Sequence, residues 1–136
     1  MKNIFVDSCA WLALNDKKDQ FHLKAVEINR ELISKGYKYY TTNFVLDETI
    51  TLVRMCIGHS AAVTFYEMLK STKLIEIIKI NDKIEDYAWE IFKKYSDKDF
   101  SFTDCTSFYV MQNYNFNKSF TNDHHFEQIG FEILIK

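Results

Sequence analysis

The chain has 136 residues, of which 47% are hydrophobic and 16% aromatic, enough for one domain with a genuine core and too many for global disorder. The formal net charge of −2 lacks the basic excess that usually marks a nucleic-acid binder, although an acidic site would hide a modest basic surface in that sum. Only 3 Gly and no Pro favour helices with few forced turns, and no Gly-rich phosphate loop is present.

In chain order, residues 3–6 predict a buried strand ending at Asp7. Residues 8–15 predict a short helix. Residues 20–35 predict an amphipathic helix with Ala25, Ile28 and Leu32 on one side and Gly36 at its end. A second strand follows over 38–41, then two helices over 44–57 and 60–72 joined around Gly58. Residues 74–80 predict a third strand, and 82–95 and 103–114 two more helices. Short strands over 119–121 and 131–135 flank a helical turn near 125–129. Strands alternating with helices imply an α/β fold with a parallel sheet covered on both faces. In such sheets, sites form at the carboxyl ends of the strands.

Cys9, Cys56 and Cys105 are odd in number and form no CxxC, so neither a disulfide framework nor a thiolate zinc site is expected. A reducing cytoplasmic setting suits them. Asp7 interrupts the N-terminal apolar run, so no secretory leader is expected, and no apolar stretch approaches the ~20 residues of a membrane span. Lys17-Lys18, Lys35, Lys38 and Lys93-Lys94 can supply phosphate contacts, although a solvated surface lysine is the better explanation of any single one.

Four carboxylates sit where a charge is uncomfortable: Asp7 after the first strand, Glu48 in a helix, Asp104 at a helix start and Asp123 after a late strand. Gathered in one place, they repel unless a cation neutralises them, and hard divalent ions take such oxygen ligands. A metal-dependent hydrolase follows as the expectation. Glu48 falls between Val45 and Leu52 at helical spacing, whereas Asp47 shares a polar face with Thr51 and Arg54, where a solvated ion pair explains it. Asp104 has a structural competitor, because Ser101-Phe102-Thr103-Asp104 matches a capping box. Asp7 has a bland reading as a helix cap, and Asp123 as a turn residue after Asn122.

Ser8 and Thr121 can hydrogen-bond these carboxylates, and Asp99 or Asp97 can reach the site as an outer ligand; local capping and a solvated loop compete with those roles. His124 and His125 are adjacent and diverge by about 100° on a helix, so both do not easily face one metal. An oxygen-rich site suits Mg²⁺ or Mn²⁺ better than zinc.

The stretches Ile4-Phe5-Val6-Asp7-Ser8, Thr41-Thr42-Asn43-Phe44-Val45-Leu46-Asp47-Glu48, Asp97-Lys98-Asp99-Phe100-Ser101-Phe102-Thr103-Asp104 and Phe120-Thr121-Asn122-Asp123-His124-His125-Phe126, running into Gly130-Phe131, span nearly the whole chain. In that order they resemble the PIN-domain nucleases, and within them the VapC-type toxins of toxin–antitoxin pairs. The resemblance implies a PIN-like three-layer α/β/α sandwich with a central, mostly parallel sheet, as a single nuclease domain over residues 1–136. It maps the acidic quartet onto Asp7, Glu48, Asp104 and Asp123. Mg²⁺ or Mn²⁺ is then held mainly by Asp7, Asp104 and Asp123, with Glu48 as ligand or water-orienting group. It implies an endoribonuclease, a toxin of a type II pair acting on RNA, with a cognate antitoxin protein as partner and a homodimer as the usual assembly. Cys9, Asn122 and His124 depart from the residues frequent at their positions.

Two alternatives stay open: a PIN-fold RNA-processing nuclease outside a toxin–antitoxin pair, and a PIN-fold binding module with little catalysis. A phosphoacceptor receiver domain would want paired acids after the first strand, which are absent. Tyr37, Tyr39 or Tyr40 can stack on bases or pack in the core. For the antitoxin, Val53, Ile57, Val63 and Phe65 are expected to offer an apolar groove beside the helices over 44–57 and 60–72, with an Arg or Lys of the partner reaching the quartet.

Overall fold

The computed structural model describes residues 2–136. Five parallel strands form one sheet in the order β3–β2–β1–β4–β5. They are β1 (Asn3–Val6), β2 (Lys38–Thr42), β3 (Ile75–Ile78), β4 (Lys118–Phe120) and β5 (Glu132–Ile133). Helices α1 (Ser8–Asn15) and α2 (His22–Ser34) join β1 to β2, and α3 (Asn43–Cys56) and α4 (His59–Ser71) join β2 to β3. The return to β4 runs through α5 (Asp82–Lys94) and α6 (Phe102–Asn113), and α7 (His125–Gln128) links β4 to β5.

From β1 the chain builds outward on one side to β3, then crosses back and builds outward on the other. Right-handed crossovers put these two sets of connections on opposite faces of the sheet. The strand order therefore reverses between β1 and β4, and a crevice opens beyond their carboxyl ends. The Asp7 N–H donates to the Phe120 carbonyl over 3.2 Å and draws the two strand ends together there.

Ile4, Phe5 and Val6 are all fully buried, as a central parallel strand covered on both faces requires. Beneath the crevice, Phe108 of α6 meets Phe126 of α7 edge to face at 5.0 Å and Phe100 at 4.9 Å. This aromatic cluster fixes the start of α6 against α7. Gly130 (φ 111°) ends α7: its N–H donates to the Glu127 carbonyl and the Phe131 N–H to the Phe126 carbonyl, a cap that favours glycine.

Element boundaries depart from expectation where side chains capture the backbone. The α2 helix begins at His22 rather than 20, because the Asp19 carboxylate takes the Phe21 N–H at 2.8 Å and holds a turn there. Strand β3 stops at Ile78, since Asn43 Oδ1 accepts the Ile80 N–H over 2.6 Å and pulls it from the ladder. Strand β5 shortens to Glu132–Ile133 as the α7 cap consumes Phe131.

Burial decides between the surface and core readings of several side chains. Tyr39 and Tyr40 are buried on β2 and Tyr37 is half-buried, so neither strand tyrosine presents a face to a base. Val53 and Phe65 belong to the interior, leaving Ile57 and Val63 as the exposed members of the expected groove. A groove of about 460 Å³ does lie between α3 and α4, lined by Ile50, Arg54, His59, Ala62, Val63, Tyr66 and Glu67, and a second apolar concavity of about 450 Å³ lies between α1, α2, α4 and the β3 side of the sheet, lined by residues including Trp11, Ile33, Phe65, Met68 and Leu74. Among the described residues, no helix is long and apolar enough to cross a membrane.

Candidate active site

Asp7 stands at the N-cap of α1, yet its side chain makes no capping bond. Its main-chain carbonyl takes the Ala10 and Trp11 N–H groups instead, which releases the carboxylate toward the crevice. Only 5% of the residue is exposed. Burial, reinforced by the negative charges of Asp104, Asp123 and Glu48, pushes its pKa up to about 7, while the Ser8 backbone N–H acts the other way. Thr121, fully buried just past β4, donates from Oγ1 to Asp7 Oδ2 at 3.1 Å and accepts the Asp123 N–H at 3.0 Å.

Asp104 satisfies both readings of the sequence. The capping box forms, with Ser101 Oγ accepting the Asp104 N–H at 2.9 Å and Asp104 Oδ2 accepting the Ser101 N–H at 3.1 Å. That same bond fixes the carboxylate at the crevice, where burial first and then the Asp123 charge raise its pKa against the Ser101 bonds and His125. Asp123 accepts the His125 N–H on Oδ1 at 2.9 Å, a local turn of the kind expected for this residue, and lies 3.0 Å from His125 Nδ1. Both structural explanations are therefore the devices that aim the carboxylates.

Glu48 is exposed rather than inward-facing. The buried stripe of α3 is Val45, Leu46, Thr49 and Val53. At ~100° per residue, Glu48 lies about 115° from the centre of that stripe and Asp47 about 145°. Leu52, its expected apolar neighbour, is itself only half-buried. Glu48 nevertheless joins the site, because buried Ser8 donates from Oγ to Glu48 Oε1. Asp47 is exposed, and the ion pair expected with Arg54 is not formed among the described residues. Asp99 is exposed and has no hydrogen bond or ion pair to these carboxylates among the described residues, and Asp97 pairs with Lys98 at 3.3 Å.

Two residues enter the site that the sequence argument left outside it. His125 Nδ1 lies 3.0 Å from Asp123 and 3.6 Å from Asp104, and the three donor atoms of Asp104, Asp123 and His125 lie within 4.8 Å of one another. His124 is exposed, but its ring lies only 4.6 Å from that of His125, so the divergence expected of adjacent helical residues is not seen in the side chains. Cys9 Sγ lies 2.8 Å from Thr121 Oγ1 and 3.7 Å from Asp7 Oδ2. Burial and the Asp7 charge push its thiol up to about 12, so it is a neutral spacer rather than a nucleophile. For Cys9, the signal was its position two residues after Asp7; for His125, two residues after Asp123.

A four-carboxylate crevice at a switch point is matched by a family model: residues 4–132 fit the PIN domain. The chain belongs to the PIN domain family. Among curated relatives, the 23S rRNA-specific endonuclease VapC20 of Mycobacterium tuberculosis is 34% identical over 128 residues, covering 94% of this chain and 95% of that protein. A VapC ribonuclease of Archaeoglobus fulgidus is 31% identical over 104 residues, 75% of this chain and 65% of the relative. The crystal structure of M. tuberculosis VapC20, described as a sarcin–ricin loop cleaving toxin, superposes with a TM-score of 0.85 at 32% identity, covering 94% and 95% of the two chains. VapBC2 from Rickettsia felis, in a crystal structure bound to a DNA fragment from their promoter, shares the fold at 16% identity, with a TM-score of 0.70 and 96% of each chain covered.

Proposed function

We propose that this PIN domain is a divalent-metal-dependent endoribonuclease and the toxin of a type II toxin–antitoxin pair, acting through Asp7, Glu48, Asp104 and Asp123 as one domain over residues 1–136. The observation that carries this is the buried Asp7 carboxyl, raised to about 7 by its burial and three neighbouring carboxylates. A buried acid held among like charges calls for a cation. The donor set fits one, with Asp104, Asp123 and His125 offering converging atoms and the charges of Asp104 and Asp123 acting on Asp7. The nuclease names of relatives covering nearly the whole chain point the same way.

Asp7, Asp104 and Asp123 would hold Mg²⁺ or Mn²⁺. Such an ion, when bound, lowers the pKa of a water and stabilises charge on a scissile phosphate. Glu48, tethered by Ser8, orients water at the open side of the site. Thr121 fixes the orientation of Asp7 and the turn at Asp123. The substrate class is RNA, with single-stranded loops favoured because their unstacked bases reach an exposed site.

A cognate antitoxin would neutralise the toxin in the cytoplasm. Its apolar segment would lie in the concavity between α1, α2 and α4. A homodimer is supported by the α5 aromatics Tyr87, Trp89 and Phe92, which are 45%, 50% and 40% exposed. The decisive experiment sequences cleaved ends of total cellular RNA after brief induction of wild type and Asp7→Asn. Discrete new ends in wild type alone support the proposal; none in either would leave a binding module as the function.

A further inference from the structure

We propose that His125 supplies its Nδ1 nitrogen to the same divalent cation as Asp104 and Asp123, so that the centre favours Mn²⁺ or a later first-row ion over Mg²⁺. This rests on the metal-dependent reading above, and concerns which ion the site selects and why.

The geometry is that of adjacent ligands. Two donors at about 2.1 Å from one ion and at right angles to each other are about 3.0 Å apart. His125 Nδ1 lies 3.0 Å from Asp123 Oδ1 and 3.6 Å from Asp104 Oδ2. The ring is not free to swing away. Phe100 stands edge-on to the imidazole at 5.6 Å and the His124 ring lies 4.6 Å from it, while the main-chain N–H of His125 holds the backbone to Asp123 Oδ1 at 2.9 Å. Only Nδ1 faces the carboxylates; His124 remains exposed.

His125 Nδ1 stands 3.0 Å from Asp123 Oδ1. A neutral imidazole that carries its proton on Nε2 offers the Nδ1 lone pair to a cation and consumes no other reactant. An all-carboxylate centre accepts Mg²⁺ readily. An imidazole nitrogen adds little for that hard ion, and progressively more along the first transition row.

The competing role is orientation: His125 holds Asp123 by a hydrogen bond and never enters the coordination sphere. Loss of that role lowers affinity for every ion alike. Calorimetric titration of purified protein with MgCl₂ and with MnCl₂, for wild type, His125→Asn and Asp7→Asn, separates the two. Loss of an Nδ1 ligand should weaken Mn²⁺ binding in His125→Asn by about tenfold or more, with Mg²⁺ affinity changed far less. Electron spin-echo modulation of the Mn²⁺-loaded wild type should show a coupled ¹⁴N, lost in His125→Asn. Parallel weakening of both ions, or Mn²⁺ bound without ¹⁴N coupling, overturns the proposal. Because the wild-type spectrum alone decides the ligand, failure of the variant to fold leaves the test intact. If wild type binds neither ion and Asp7→Asn changes nothing, the shared acidic centre itself falls.

Discussion

Thr121 and Asp7 are tied by a buried hydrogen bond of 3.1 Å from Oγ1 to Oδ2. The same hydroxyl takes the Asp123 N–H at 3.0 Å, so one side chain at the end of β4 positions two of the four carboxylates. Thr121→Val keeps the shape but strands an acceptor and a donor in the interior. The cost is about 1–3 kcal/mol of stability, together with a large loss of cleavage from a misaimed Asp7. Thr121→Ser, which keeps the hydroxyl, should recover most of both. Denaturant midpoints and single-turnover RNA cleavage measure the two effects. A fully active Thr121→Val protein would show that Asp7 needs no such tether.

Asp7 also sets a pH dependence with a definite sign. Its folded-state pKa is raised from an ordinary 3.8 to about 7. Between those values the folded protein binds more protons than the unfolded chain, so metal-free stability should fall as pH rises from about 4 to 7, by an amount on the order of a few kcal/mol. Asp104 is raised as well and adds to the same slope. Asp7→Asn should flatten most of it and be more stable than wild type at neutral pH. Saturating Mn²⁺ should reverse the penalty, adding about 2.7 kcal/mol at 100 times its dissociation constant. Thermal melts in chelator across this range provide the check. A stability that rises from pH 4 to 7 in chelator contradicts the placement of Asp7 among like charges.

The fold was legible because its signals are one-dimensional. The unbroken Ile4-Phe5-Val6 run, the alternation of strands with helices and the scarcity of glycine all read directly into the parallel sheet. Asp7 and Asp123 were legible for the same reason, since a residue after a strand in such a sheet falls at the crevice. Glu48 was found on an argument that was only partly right: helical spacing showed it nearer the buried face than Asp47, but not that Ser8 would hold it at the rim. His125 was missed because its role depends on the turn that Asp123 imposes, which no helical projection of adjacent histidines contains.

The distinction between Glu48 and Asp47 remains a sharp test. Glu48→Gln should reduce RNA cleavage strongly with the fold unchanged, while Asp47→Asn should leave activity near wild type. Ser8→Ala should fall between them, because it frees Glu48 without removing the carboxylate. Rates under single-turnover conditions, with circular dichroism to confirm folding, decide the order. Equal rates for Glu48→Gln and Asp47→Asn would remove Glu48 from the machinery.

The antitoxin should engage two separable features. Ile33, Met68 and Leu74 are 55%, 45% and 62% exposed and line the concavity between α1, α2 and α4. An amphipathic segment laid there buries apolar surface worth about 25 cal/mol per Å² before ordering costs. Met68→Glu or Leu74→Glu should therefore abolish copurification with the cognate antitoxin while leaving RNA cleavage intact. The second feature is a cation: an Arg or Lys of the segment reaching Asp7 answers the same repulsion as a metal ion. Affinity for the antitoxin should then fall in saturating Mn²⁺ and change in Asp7→Asn. A complex that forms with the same affinity under both conditions inhibits by covering the substrate path rather than by occupying the acidic site. One that survives Met68→Glu and Leu74→Glu docks on another face.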